Sequence, residues 1–262
     1  ELDNLLRLLP RTISSGKSLS DERLKAAIAL FLVHFPVYRF YSNTYLLDET
    51  EKKQLQNIFN EIKAYASECI DEVQYLEALL INDNPETEDA NAIAKFFKRC
   101  MQFTGPIMAK GVEDTVMYTY NSYIGHNEVG DSPSAALYTV EEFHKAMQER
   151  QKKWPLTMNT TATHDTKHGE DARARLNAIT HFANDWMQMV NEWRTWNLDY
   201  KQGGAPTDND EYFIYQALVA SYPMPGADVD DFEDRFKSYI QKAIREAKVH
   251  TNWDDPNEDY EK

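Results

Sequence analysis

The chain has 262 residues, with 28 Lys and Arg against 43 Asp and Glu and a formal net charge of −15. That length can bury one large core or two modest ones. The charge argues against a general nucleic-acid binder, which needs a basic footprint, and against an anionic membrane surface.

The first residues, ELDNLLRLLP, are not a signal peptide, and no apolar run approaches a membrane span, so a cytoplasmic location is expected. Glu1 stands where an initiator Met would, which favours a cut piece of a longer protein over a processed one. Two cysteines, Cys69 and Cys100, suit reduced thiols better than a disulfide framework. Helical periodicity then dominates. Leu24, Ala27, Ile28, Phe31, Leu32 and Phe35 follow the i, i+3, i+4, i+7 rule and stop at Pro36. After FPVYRFY (35–41), a helix is predicted over about 49–66 with Leu55, Ile58, Phe59, Ile62 and Tyr65 on one face. A third covers about 71–81, closed by Asn82-Asp83-Asn84-Pro85. The next, about 88–103, carries Ile93, Phe96, Phe97, Cys100 and Met101. Gly105-Pro106 is expected to interrupt it before the helix resumes over about 107–123. Residues 125–138 read as a loop, and Thr139 with Glu142 forms a capping box for a helix ending at Trp154-Pro155.

The stretch from Trp154 to Leu176 changes character fastest. Thr157, Thr160, Thr161 and Thr163 mark a short extended segment leading into His164-Asp165; Gly169 breaks the run, and Glu170-Asp171 opens an amphipathic helix. Beyond it, Trp186, Met189, Val190, Trp193 and Trp196 line a helix face. Another helix starts near Asp208, and the last long one carries Phe232, Phe236, Tyr239, Ile240, Ala243 and Ile244. The tail NWDDPNEDYEK reads as frayed. The fold class expected is mostly α, with one or two short strands.

Three constellations can carry chemistry. A carboxylate beside an imidazole, as in His164-Asp165 with Lys167, can stabilise positive charge, bind sugar hydroxyls or move protons; equally, Asp165 can cap a turn beside an exposed His164. His164 and His168 also have the spacing of the H-E-x-x-H zinc motif, with Asp165 where the glutamate base stands. That reading needs both imidazoles on one helical face and a third ligand, and the threonines and Gly169 around them disfavour a helix. No metal site is therefore predicted. Lys110-Gly111-Val112-Glu113-Asp114-Thr115, followed by Tyr118, Tyr120 and Tyr123, reads as a helix turn with tyrosines packed on the next layer. Phe35-Pro36-Val37-Tyr38-Arg39 says only that a helix stops and an extended segment begins.

Taken together, and in this order, the runs FPVYRFY (35–41), FTGPIMAKGVEDTVMYTYN (103–121), NEVG (127–130), WPLTMNTTATHDTKHGEDARARLN (154–177), NDEYFIYQALV (209–219) and REAKVHTNWDDPNEDYE (245–261) resemble the maltooligosyltrehalose synthases of the α-amylase superfamily, in their C-terminal half. KGVEDT and HDTK-xx-EDARARL are the specific part. The resemblance implies an enzyme that converts the reducing-end α-1,4 linkage of a maltooligosaccharide to α,α-1,1 by intramolecular transglucosylation, without a cofactor. It implies that Asp165 is the carboxylate stabilising the transition state, that His164 binds the same sugar, and that Lys167, Lys110, Glu113 and Arg39 are candidates for holding substrate. Two departures stand out. Family members commonly read HDTKRSED where this chain has His168-Gly169, and Asp131-Ser132-Pro133 replaces the usual G-D-P after NEVG. No segment resembles the strand ends that carry the nucleophile and the acid/base, and the chain stops before the last barrel strand would be expected.

The implied organisation is a helical insertion domain over 1–102 and a partial (β/α)8-barrel segment over 103–262, lacking most barrel strands and inactive alone. Residues 156–162 would be a barrel strand; without neighbours they are expected as an edge or coil, with the His164-Asp165 loop partly exposed. The competing class is a non-catalytic helical module that binds α-glucan or serves as a scaffold.

Overall fold

The structure, a computed structural model, describes residues 1–11, 19–41, 47–81, 87–132, 138–227 and 230–262, with backbone only at 87–89. The predicted closure at Asn82-Asp83-Asn84-Pro85 and the Pro133 departure lie outside the described residues. The fold is mostly α, and among the described residues the only β pairing is an isolated bridge between Gln202 and Ala205. Two compact units divide the chain, Glu1–Val112 and Glu113–Lys262.

The first unit is built from α1 (Leu2–Leu8), α2 (Asp21–Val33), α3 (Glu49–Tyr65), α4 (Ile70–Leu80) and α5 (Thr87–Met108). Its core is the sum of the apolar faces predicted from periodicity: Leu24, Ile28 and Phe31 of α2, Leu55, Ile58 and Phe59 of α3, Val73, Leu76 and Leu79 of α4, and Ile93, Phe96 and Cys100 of α5 are all buried. Phe31 stacks on Phe59 with ring centroids 5.4 Å apart, and meets Phe35 edge-on at 5.7 Å. The FPVYRFY run is thereby explained. Phe35 and Phe40 pack together at 4.8 Å inside the core, while the residues between them face outward. Cys69 and Cys100 are free and buried, and burial pushes both thiols up.

Gly105-Pro106 does not interrupt the helix. Pro106 sits inside α5, and helical structure continues as π-helical turns over Ala109–Val116 into the short α6 (Met117–Thr119). Proline removes one N–H and crowds the preceding turn, yet a neighbouring run of i→i+5 bonds lets the backbone widen without a break. The KGVEDT motif occupies these π-helical turns. Gly111 within it has open space where a Cβ would be, so no close approach requires glycine there.

The second unit holds α7 (Val140–Lys153), α8 (Glu170–Ile179), α9 (Ala183–Asn197), α10 (Asp208–Ser221), α11 (Phe232–Ala247) and α12 (Glu258–Glu261). The capping box forms as predicted: the Glu142 N–H donates to Thr139 Oγ1 and the Thr139 N–H to Glu142 Oε2. No residue of α7 is buried. The core instead gathers Leu176 and Ile179 of α8, Trp186 and Val190 of α9, Phe213 and Ala217 of α10 and Ala243 of α11. Trp196 departs from its predicted face and is 65% exposed, because ten residues of helix carry it off the Trp186 stripe. Gln216, fully buried, clamps the segment before α7: its Nε2 donates to the Asn121 carbonyl at 2.7 Å and its Oε1 accepts from the Ile124 N–H at 2.9 Å.

The tail is not frayed. Glu261 accepts from Arg245 Nε (2.7 Å) and Nη2 (2.5 Å), Thr251 Oγ1 (2.6 Å) and Gln241 Nε2 (2.9 Å), and the Tyr260 hydroxyl donates to Asp210 at 2.5 Å. The Arg245 guanidinium holds the Glu261 carboxyl at about 2, below its ordinary 4.5. A depressed carboxylate contributes stability that is full above its unfolded value and lost as pH falls through its folded one. Glu261→Gln is therefore expected to cost about 2 kcal/mol at pH 7 and to flatten the loss of stability between about pH 5 and pH 2. Urea unfolding at pH 7 and pH 3 checks it; equal differences at both pH values would remove the carboxylate from the account.

Candidate functional site

The stretch from Pro155 to Gly169 has no regular secondary structure, the coil alternative expected for an unpartnered strand. Leu156 and Met158 are 94% and 88% exposed. Local hydrogen bonds shape its end. Thr166 Oγ1 donates to the Thr163 carbonyl (2.9 Å) and accepts from the Thr163 N–H (3.3 Å), and the Asp165 N–H donates to Thr163 Oγ1 (3.3 Å). The threonines that read as strand formers thus close a tight turn over 163–166. His164 and Asp165 are its two central residues, which is why their side chains are 90% and 69% exposed. They face each other at 3.3 Å between Nε2 and Oδ2, a solvent-exposed pair worth little to stability.

Lys167, immediately after the turn, is held at both ends. Its side chain is 12% exposed, its Nζ lies 3.2 Å from Asp114 Oδ1, and the same ammonium stands 5.0 Å over the Tyr118 ring. Its backbone N–H donates to Glu128 Oε1 at 2.6 Å. The next N–H, of His168, donates to Glu128 Oε2 at 3.0 Å, and Glu128 Oε1 also takes the Val129 N–H at 2.9 Å. Successive backbone amides converging on one carboxylate form an anion-binding nest, filled here by a side chain of the NEVG segment. The second unit thus brings together three segments read separately from the sequence: KGVEDT through Asp114, NEVG through Glu128 and HDTKH through Lys167 and His168. Glu128 was missed as a site residue.

The remaining candidates stand elsewhere. Glu113 is buried on the π-helical turns, and Lys110 is exposed on the same turns. Arg39 and Lys110 belong to the first unit, with the Arg39 guanidinium 4.5 Å over the Tyr41 ring.

The His168 side chain is 10% exposed beside Glu128, its Nδ1 3.7 Å from Oε2, and among the described residues neither ring nitrogen has a hydrogen-bond partner. Burial pushes its pKa below the ordinary histidine value, and the Glu128 charge opposes that shift, leaving a neutral ring at pH 7. The zinc alternative asked for His164 and His168 on one helical face. Residues 164–168 are not helical, one imidazole is exposed and the other buried. Among the described residues, no group of three or more His, Cys, Asp or Glu is placed to hold a metal.

At its C-terminal end the HDTKHGEDARARL segment docks through α8. Gly169 is the N-cap without a side-chain cap bond, with Glu170 and Asp171 in the first turn, and the Arg175 guanidinium donates to the Tyr222 carbonyl at the end of α10. Tyr123 adds a bond from its hydroxyl to Asn177 Oδ1 at 2.7 Å.

No protein-family model matches the chain. Two curated relatives, from the CDC 1551 and H37Rv strains of Mycobacterium tuberculosis, are each named as a maltooligosyl trehalose synthase; each is 33% identical over 165 residues, which is 62% of this chain and 20% of the relative. The solved maltooligosyltrehalose synthase of Arthrobacter ramosus superposes on 99% of this chain and 30% of its own, with a TM-score of 0.74 at 27% identity. A hypothetical maltooligosyl trehalose synthase of Sulfolobus tokodaii matches over the same shares with a TM-score of 0.67 at 29% identity. The chain therefore spans a fifth of the length of its curated relatives, and the resemblance drawn from KGVEDT and HDTK is borne out.

Proposed function

We propose, from the chain's homology with maltooligosyltrehalose synthases, that it is one part of an intramolecular transglucosylase that turns the reducing-end α-1,4 linkage of a maltooligosaccharide into an α,α-1,1 linkage. The observation that carries this reading is the convergence of KGVEDT, NEVG and HDTKH on one site, since these are segments by which the sequence resembles that family. In a retaining glycoside mechanism one carboxylate attacks the anomeric carbon and a second acts as acid and then base. Asp165 is assigned neither role. It is the third carboxylate, which grips sugar hydroxyls and stabilises the oxocarbenium-like transition state, with His164 donating to the same sugar. The exposed turn suits that role, because both side chains face solvent, where a ligand can reach them.

Lys167 is a candidate for holding the transferring or accepting glucose; Lys110, Glu113 and Arg39 are carried as candidates by the resemblance alone. Holding the released sugar makes its re-attack effectively unimolecular, and excluding water prevents hydrolysis. No cofactor is required by this chemistry. We place the protein in the cytoplasm; among the described residues no helix is long and apolar enough to cross a membrane.

The 262-residue chain, with one of the three carboxylates, is expected to be inactive alone, while the full-length enzyme converts maltopentaose with loss of reducing ends and little free glucose. Reducing-sugar and glucose assays run side by side test both halves. Full-length protein that releases glucose without forming a non-reducing product would replace the transferase with a hydrolase. A full-length protein that binds maltopentaose without converting it would favour the non-catalytic module.

A further inference from the structure

We propose that Glu128 is a positioning residue that sets the reach of Lys167 and Asp165, acting through the backbone of the turn rather than on the sugar. This rests on the reading of residues 164–167 as part of the sugar site. Glu128 has a side chain only 10% exposed, and among the described residues its one ion-pair contact is with the neutral His168 ring at 3.7 Å. Burying a carboxylate without a cation is costly, and packing alone would be served by an apolar residue of that size. Its three N–H donors explain the choice. Two come from consecutive residues of the HDTKH segment and one from its own neighbour Val129, so both oxygens are used and the carboxylate cannot rotate without breaking a bond.

The geometry fixes a register. The Lys167 N–H sits on Glu128 while the Lys167 ammonium sits on Asp114, so this residue spans from NEVG to KGVEDT with its backbone and its side-chain tip both held. Asp165 lies two residues upstream in a turn closed only by its own threonines. Apart from those local bonds, the Glu128 nest is the nearest fixed point on which the carboxylate's position depends. Releasing the nest leaves the Lys167 tip and the start of α8 to hold residues 163–168, and even small displacements at a reacting centre are expensive to catalysis.

The test uses Glu128→Ala and Glu128→Gln, read in two ways. Amide hydrogen exchange at Lys167 and His168 in the 262-residue chain makes no assumption about the reaction, and both amides are expected to exchange about tenfold faster or more in Glu128→Ala, as loss of bonds to a charged acceptor implies. In the full-length enzyme, Glu128→Ala is expected to lower kcat about 100-fold per folded molecule with KM changed less than about threefold. Glu128→Gln should recover part of kcat, since its one oxygen can still accept from Lys167 and Val129 while its amide opposes the His168 N–H. A purely structural role would lower the folded fraction and leave kcat per folded molecule alone. If Glu128→Ala does not fold, Glu128→Gln is read by the same measures, with exchange at His168 expected to rise more than at Lys167. Unchanged exchange at both amides, or kcat within about twofold of wild type in a folded variant, would overturn the proposal. An Asp165→Ala enzyme assayed alongside separates the two ideas: its full activity would end the sugar-site reading, and the exchange result would still decide for or against Glu128.

Discussion

On the proposed function, Asp165→Ala in the full-length protein is expected to lower kcat by about 10³-fold, the scale on which loss of a transition-state-stabilising group acts. The same substitution in the 262-residue chain should move the unfolding free energy by less than about 0.5 kcal/mol, as for an ordinary surface position. Both halves follow from one fact. The Asp165 side chain is 69% exposed and its ion pair with His164 is a solvated one, so nothing in the fold depends on it. Steady-state kinetics on the proposed trehalose-forming reaction and urea unfolding supply the two numbers. An Asp165→Ala enzyme of wild-type activity would remove Asp165 from the mechanism, whereas a large loss of stability would mean that the turn is a structural element after all.

Phe59→Ala inverts that pattern. The Phe59 ring is fully buried and stacks on Phe31 at 5.4 Å in the centre of the first unit. Truncation removes the ring's transfer free energy and leaves a cavity, for an expected loss of about 4 kcal/mol. The described residues of this buried cluster include none of the proposed site residues, so kcat per folded molecule should not change. Calorimetry of the variant, together with active-site-normalised kinetics, checks both statements. A fall in kcat at a temperature where the variant is fully folded would show that the helical unit does more than support.

The helices were legible because their apolar residues recur at helical spacing, and burial of Leu24, Ile28 and Phe31, or Leu55, Ile58 and Phe59, follows that spacing directly. Local rules failed where the deciding partner was distant or the geometry unusual. Gly105-Pro106 has every mark of a helix end, but an adjoining π-helical run absorbs it. The polar tail reads as coil until Arg245, Thr251 and Gln241 all converge on Glu261, a pairing that no periodicity encodes. At the site, His164 and Asp165 stand out by resemblance, and the threonine run before them reads as an extended segment; its end instead closes a turn because Thr163 and Thr166 bond each other. Glu128 was the hardest to see. Its partners are backbone N–H groups 39 and 40 residues away, and backbone groups leave no signature in composition. A buried acid in a motif that lacks a basic partner nearby is the signal that points to such a role.

The uncovered face near the turn has a colloidal side. Trp154, Leu156 and Met158 are 69%, 94% and 88% exposed on a backbone with few hydrogen bonds, and the α7 residues Val140, Phe143 and Met147 also lie open. Exposed apolar side chains on a stretch without regular structure favour contact between copies. The 15 net negative charges make copies of the chain repel one another. That barrier shrinks as salt shortens the screening length from about 10 Å at 0.1 M to about 3 Å at 1 M, while the pull between apolar strips does not weaken. Net charge therefore opposes contact between copies through these side chains, and does so most strongly in dilute buffer.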